Sequence, residues 1–231
     1  MIVYGRQPVR EALRGRRSVE RVWATEGAAR ADWLEGASIE LTSGERIADL
    51  AESEEHQGIC AEVAPFPYVS AKELLDADEA LVVALDEVHD PRNLGAVCRV
   101  AECAGAAGVV IPQRRSADVT PAVCRASAGA VEHLAVARVR NLADWLGEAK
   151  AAGAWTYGAA LEGAVAYDRP DYRGRVVLVL GSEGKGLRPR IAAACDELVA
   201  LPMAGRIESL NVSTAAAALI YGILNFRSRT P

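Results

Sequence analysis

Two patterns of apolar and polar positions divide the chain. From residue 79 onward, short unbroken apolar runs alternate with longer segments of helical period, whereas residues 1–64 are cut into shorter and more charged pieces. Unbroken apolar runs bounded by turn residues predict strands buried on both faces. They occur at LVVALD (81–86), GVVIP (108–112), AWTYGAA (154–160), VVLVLG (176–181) and ELVALP (197–202), with HLAVARV a further short one. Between and after them the periodicity predicts helices over 93–105, 119–128, 141–152, 188–194 and 211–226. Strands alternating with helices imply an α/β fold, with a mostly parallel sheet carrying helices on both faces.

The first 64 residues predict a small α/β unit of their own. In GRQPVREALRG, Val9 and Leu13 stand four apart among arginines, which fits a short amphipathic helix with a basic face. Strands follow at VERVWAT and ASIELTS, then a helix at GERIADLAES and a strand at QGICAEV. Pro65 and Pro67 open the stretch PFPYVSAKELLDADEA and break the pattern, so a linker is expected over 65–78. The expected organisation is therefore a domain over 1–64, the linker, and a larger domain over 79–231, with no internal repeat and no low-complexity tract.

Composition sharpens this picture. In 231 residues, 51% hydrophobic content is enough for a sizeable core and excludes a disordered chain. The net charge of −5 is opposite to that of a simple nucleic-acid coat protein, yet its distribution is uneven. Residues 1–30 contain Arg6, Arg10, Arg14, Arg16, Arg17, Arg21 and Arg30 against Glu11, Glu20 and Glu26, a surplus of +4 that leaves −9 for the remainder. A basic N-terminal face on an acidic body is the first clue, and Arg6, Arg10, Arg14, Arg16 and Arg17 are its candidate contacts to a polyanionic partner. No apolar run approaches the roughly 18–20 residues of a membrane span, and MIVYGRQPVREAL lacks the order of a secretory signal, so a cytoplasmic protein is expected. The five cysteines (Cys60, Cys98, Cys103, Cys124 and Cys195) form no CxxC pair, and no His stands at zinc-ligand spacing. They read as reduced, mostly buried apolar residues, and no metal is expected.

Three loops at the C-terminal ends of predicted strands are the candidate site, because an open α/β sheet binds its ligands there. The first runs from Asp86 through His89, Asn93 and Gly95 into a helix bearing Arg99. Asn93 suits the helix N-cap, and Arg99, in an otherwise apolar turn, needs an anion or carboxylate. The second is Gly181-Ser182-Glu183-Gly184-Lys185-Gly186. It lacks the Lys-Ser/Thr pair of a Walker loop, and the chain has no GxGxxG fingerprint. Its glycines permit close backbone approach to a ligand, and Glu183 suits a cationic or hydroxyl-bearing one. The third, from Leu201, Pro202 and Met203 to Ser213, offers irregular backbone to an adenine edge, with Ser209 or Asn211 capping the following helix.

Taken in order, NLGAVCR, LGSEGKGL and LPMAGRIESLNVS resemble the three motifs of SpoU-type (TrmH-like) RNA ribose 2′-O-methyltransferases of the SPOUT superfamily. YGRQPVREAL and HQGICAEV are similar to the RNA-binding domain of the bacterial 23S rRNA guanosine 2′-O-methyltransferase subfamily. The resemblance implies S-adenosylmethionine as methyl donor, a homodimer, and a C-terminal trefoil knot, which periodicity does not reveal. It implies polar site roles for Asn93, Arg99, Glu183, Ser209 and Asn211. Gly181, Ser182, Gly184, Leu201, Pro202, Met203, Ser209 and Leu210 would hold the donor, and Lys185 is either an RNA phosphate contact or a solvated charge. The expected activity is ribose 2′-O-methylation of a guanosine in 23S rRNA, with tRNA as the alternative substrate and a non-catalytic ribosome-assembly factor as the alternative class.

Each of these residues also has a plainer reading. Arg99 could pair with Glu102 or Glu183, and Glu183 could be a merely exposed carboxylate. His89 and His133 read as structural or exposed, and His56 as a packing or turn residue. Whether Arg99 is the base or orients phosphate and ribose stays open, since a guanidinium is essentially always protonated. Helices 93–105 and 211–226 lack a clean polar face, which predicts burial on several sides and, beside the site, a subunit interface.

Overall fold

The computed structural model describes residues 1–207 and 209–229. The N-terminal unit comprises β1 (Ile2–Tyr4), α1 (Arg6–Arg14), β2 (Val19–Ala24), α2 (Glu26–Ala29), β3 (Ile39–Leu41), α3 (Gly44–Ala51) and β4 (Ile59–Val63). Its sheet has the order β1-β4-β2-β3, antiparallel except for the β2–β3 pair. Alternation along β4 divides the packing: Cys60 meets Trp23 and Ile47 of α3, while Ile59 and Ala61 share a core with Val9 and Ala12 of α1. β1 and α2 were not expected, being too short to carry a periodic signal.

The second unit comprises β5 (Leu81–Leu85), α4 (Pro91–Cys103), β6 (Gly108–Pro112), α5 (Pro121–Ala126), β7 (Val136–Val139), α6 (Leu142–Ala151), β8 (Trp155–Ala159), β9 (Val165–Ala166), β10 (Val176–Leu180), α7 (Pro189–Ala194), β11 (Glu197–Ala200) and α8 (Val212–Arg229). Its seven strands run β7-β6-β5-β10-β8-β11-β9, and their pairings are parallel. Every residue of β5, β6 and β10 is buried, as unbroken apolar runs require. On one face Leu81, Val83 and Leu85 pack with Leu94, Val97 and Leu219; on the other Val82 and Ala84 pack with Trp145, Leu146 and Ile191. The predicted strands and helices of this half are all present, and only the exposed two-residue β9 was missed.

The stretch expected as a linker is packed. Val69 bridges to Ala137, and a 3₁₀ turn over Glu73–Leu75 buries Leu74 and Leu75. The N-terminal unit docks through α1 and the residues after it. Arg17 lies buried against Glu132, and His133 Nε2 is 2.8 Å from Glu11 Oε2. Arg17 therefore cannot reach RNA, contrary to expectation, because both its guanidinium edges are used inside the protein. His56 takes the turn role, its Nδ1 accepting from Gly58 N at 2.9 Å. No described helix is long and apolar enough to cross a membrane.

The argument from two apolar helices to an interface needs correction. α4 is covered within the chain by α5 and α8, and Gly95 lets α5 approach so closely that a Cβ there would lie 2.5 Å from Ala126 Cβ. On α8 the face left outward carries Thr214, Tyr221 and Asn225.

Candidate functional site

β5 and β10 are neighbours at the centre of the sheet, so the loops that follow them emerge side by side. The connections from β5 continue toward β6 and β7, while β10 lies on the other side of it, which makes this edge the switch point where open sheets bind ligands. In the first loop Asp90, not Asn93, caps α4: its side chain accepts from Arg92 N at 2.8 Å, with Pro91 at the first helical position. That backbone bond holds the exposed Asp90 carboxyl below its ordinary range. Asn93 consequently sits inside the first turn, buried, with its amide free to reach across.

It reaches Glu183. Asn93 Nδ2 donates to Glu183 Oε1 at 2.6 Å, Asn211 Nδ2 donates to the same oxygen, and Asn211 Nδ2 also stands 3.0 Å from Asn93 Oδ1. Asn211 is at once the N-cap of α8, its Oδ1 accepting from Ser213 N at 2.8 Å. One carboxylate thus joins the three loops through two amides, so Glu183 is not merely an exposed carboxylate.

The second loop is shaped by its own backbone. Ser182 N donates to Gly186 O at 3.1 Å and Gly186 N to Ser182 O at 3.0 Å, closing a tight turn. A Cβ on Gly181 would overlap the Gly186 carbonyl, so only glycine fits at that junction. The far end of the loop is anchored by Asp86, fully buried at the end of β5, which accepts from Arg188 N at 2.9 Å and Nε at 2.8 Å.

Beside this turn lies a cleft of about 520 Å³. Of the expected donor-holding residues, Gly181, Ser182, Gly184, Leu201, Met203, Ser209 and Leu210 line it, and so do Glu183 and Lys185; Pro202 does not. Glu208 of the third motif lies outside the described residues. The last residue of β8 and the loop after it, Ala159 to Glu162, and Val212, Ala215 and Leu219 of α8 also line the cleft and were not expected. The rule that singled out the other loops, position after a parallel strand, applies to β8 as well and would have found the first group.

Other expected residues stand apart. Arg99 is exposed on α4, with no hydrogen-bond or ion-pair partner among the described residues, so pairing with Glu102 or Glu183 is not seen. Arg6 and Arg14 are exposed; Arg10 is half-buried 4.0 Å from Glu11, and Arg16 donates to His133 O at 3.1 Å. All five cysteines are free, and burial pushes the Cys98 and Cys124 thiols up to about 12.

Known proteins match both units. The model of the SpoU rRNA Methylase family matches residues 80–221, and that for RNA 2′-O ribose methyltransferase substrate binding matches residues 2–69. YacO of Bacillus subtilis (strain 168), named as a TrmH family tRNA/rRNA methyltransferase, is 36% identical over 99% of this chain and 96% of its own length. The Synechocystis protein slr0955, named as a tRNA/rRNA methyltransferase, is 38% identical over 99% of this chain, which spans 62% of that relative. Among solved structures, the SpoU methyltransferase AviRb from Streptomyces viridochromogenes in complex with the cofactor AdoMet superposes with a TM-score of 0.85 at 26% identity, covering 99% of this chain and 90% of that one.

Proposed function

The chain belongs to the SpoU rRNA methylase family, and from that premise we propose that it methylates a ribose 2′-hydroxyl in RNA, on a guanosine of 23S rRNA, as a cytoplasmic homodimer whose C-terminal segment is tucked into a trefoil knot. The observation that carries the reading is the meeting of three strand-end loops, through Asn93, Glu183 and Asn211, at the mouth of the cleft.

The residues present fit S-adenosylmethionine. Leu180, Leu201, Leu210 and Leu219 give the cleft apolar walls, the absent Cβ of Gly181 keeps backbone at its floor, and Glu162 and Glu183 complement a cation. When bound, the donor would supply the methyl group of a sulfonium: the ribose 2′-oxygen would bond to that methyl carbon as the carbon–sulfur bond breaks to leave a neutral thioether, and the hydroxyl proton would pass to water. Gly181, Ser182, Gly184, Leu201, Met203, Ser209 and Leu210 would hold it, largely through backbone groups. Asn93 and Asn211 fix Glu183, so that the loop at the cleft mouth keeps its position; alignment of this kind lowers a displacement barrier by several kcal/mol. Arg99 is the cation of α4 whose side chain has no hydrogen-bond or ion-pair partner among the described residues, and a guanidinium stays protonated, so it serves by holding an RNA phosphate and the 2′-oxygen as charge develops there. The exposed Leu210, beside Asn211, and the exposed Tyr221, further along α8, are apolar surface for a second copy.

Radiolabelled methyl transfer to purified 23S rRNA and to tRNA, followed by nucleoside analysis, tests the reading. Label recovered as 2′-O-methylguanosine from 23S rRNA is expected; label from tRNA alone would move the substrate, and none from either would overturn the activity. Arg99→Ala should lose at least about 100-fold in rate with donor affinity unchanged, and loss of donor binding in calorimetry would put Arg99 on the wrong side of the cleft. A monomeric mass by light scattering would remove the dimer.

A further inference from the structure

A second cleft, larger than the donor cleft, lies beside it on the same unit. A cleft of about 830 Å³ opens at the ends of β6 and β7, lined by Lys72, Arg114, Arg115, Arg140, Arg188 and Arg190 against the carboxylates of Asp144 and Glu148. These cations come from four separate segments, so no long basic run marks them in the sequence, and they belong to the half of the chain that is acidic as a whole. Three are already committed: Arg115 lies 3.4 Å from Glu87, Arg188 pairs with Asp86, and Arg190 lies 3.0 Å from Asp144. Lys72, Arg114 and Arg140 are exposed and have no ion-pair or hydrogen-bond partner from their side chains among the described residues. Unpaired like charges gathered in a concave surface repel one another, and a polyanion relieves that repulsion.

The placement of this cleft ties it to the site. The segment 187–192 is a shared wall: Leu187 and Ala192 face the donor cleft, while Arg188, Arg190 and Ile191 face the basic one. On its other side the cleft is bordered by Ser70, Ala71 and Lys72, in the segment leading out of the N-terminal unit. Resting on the function proposed above, we propose that this cleft holds the sugar–phosphate backbone of the RNA substrate, with Lys72, Arg114 and Arg140 each neutralising a phosphate. RNA affinity then depends on the catalytic unit and not on the N-terminal arginines alone, of which Arg17 is buried and Arg10 and Arg16 are turned to groups within the chain.

The test uses the full chain and a fluorescein-labelled stem–loop RNA of mixed sequence, followed by anisotropy over a salt series. Each lost phosphate contact flattens the slope of log affinity against log salt by roughly 0.7 to 0.9. The triple variant Lys72→Ala/Arg114→Ala/Arg140→Ala should therefore flatten it by about two to three units, with donor affinity and thermal midpoint unchanged. A variant slope equal to that of the wild type overturns the proposal, and so does polyglutamate competing as well as unlabelled RNA, which would assign the cleft to an acidic protein. A wild type that binds RNA with the expected slope change but methylates neither rRNA nor tRNA overturns the activity and leaves the cleft standing. A wild type that binds no RNA overturns both.

Discussion

Removing either partner of the buried Arg17–Glu132 pair should destabilise the whole protein. The two side chains are 1% and 0% exposed. Arg17 Nε donates to Glu132 Oε2 at 2.8 Å, its Nη2 to Glu132 Oε1, and its Nη1 to Ala64 O at 3.2 Å, while its guanidinium carbon lies 5.5 Å from the Phe66 ring centre. Substituting one partner leaves the other charge dry and unanswered, which costs about 3–5 kcal/mol where such pairs have been broken. Against a total stability of about 5–15 kcal/mol, that is a large share. Replacing both by apolar residues of similar volume removes attraction and desolvation together, and is close to neutral.

Arg17→Met and Glu132→Gln should therefore each lower the urea midpoint by about 1 M or more, taking a slope near 3 kcal/mol/M, whereas Arg17→Met/Glu132→Leu should fall far short of the sum. Unfolding is followed by tryptophan fluorescence and by far-UV circular dichroism, whose coincidence checks that both units unfold together. If each single change costs less than about 1 kcal/mol, or if the double change equals the sum of the singles, then the pair is not the unit of stability argued for here.

Two further outcomes follow from the geometry. Gly181→Ala places a methyl group on the Gly186 carbonyl and must open the Ser182–Gly186 turn, so donor affinity measured by calorimetry should fall at least about tenfold; Gly205→Ala, with open space around its Cβ, is the control, and equal affinities in the two variants would refute the steric argument. Partial burial tends to raise the Asp196 carboxyl, but Lys150 at 2.9 Å and the Thr156 N–H and hydroxyl at 2.9 and 2.8 Å more than reverse this, leaving it below its ordinary value. A depressed carboxyl contributes stability that is present above its unfolded pKa and lost as pH falls through the folded one. Asp196→Asn should accordingly be less stable than the wild type at pH 7 and draw level with it in acid, and a constant difference across that range would exclude the linkage.

How much was legible in the sequence follows from where each signal resides. β5, β6 and β10 are buried on both faces, so each had to be an unbroken apolar run, and each was visible as one. β9 is two exposed residues held by pairing with β11, which local sequence does not encode. Asn93 was placed on the helix cap because asparagine is a good cap, although Asp90-Pro91 just before it carried the stronger start signal. The consequence is structural: in the first turn of the helix rather than at its cap, Asn93 is spared for Glu183. Arg17 read as one more arginine of a basic stretch because its partner lies 115 residues away, and proximity of that kind is created only by the fold.

The same reasoning explains why whole-chain charge hides the basic cleft. A net charge of −5 and an acidic second half suggested a body that repels a polyanion, but ligands respond to the local field. The fold sorts charge on either side of one short segment: Glu162 and Glu183 line the cleft that suits a cation, and six basic side chains line the one that suits an anion. The wall between them is held by Asp86, buried at the central strand end and bonded to both the backbone and the guanidinium of Arg188. Because Arg188 both ends the donor-side loop and faces the basic cleft, a shift of this single anchor would displace both surfaces at once. On the proposed occupancy of the two clefts, donor and RNA share a positional reference in the sheet itself, as an in-line displacement between two separately bound molecules requires.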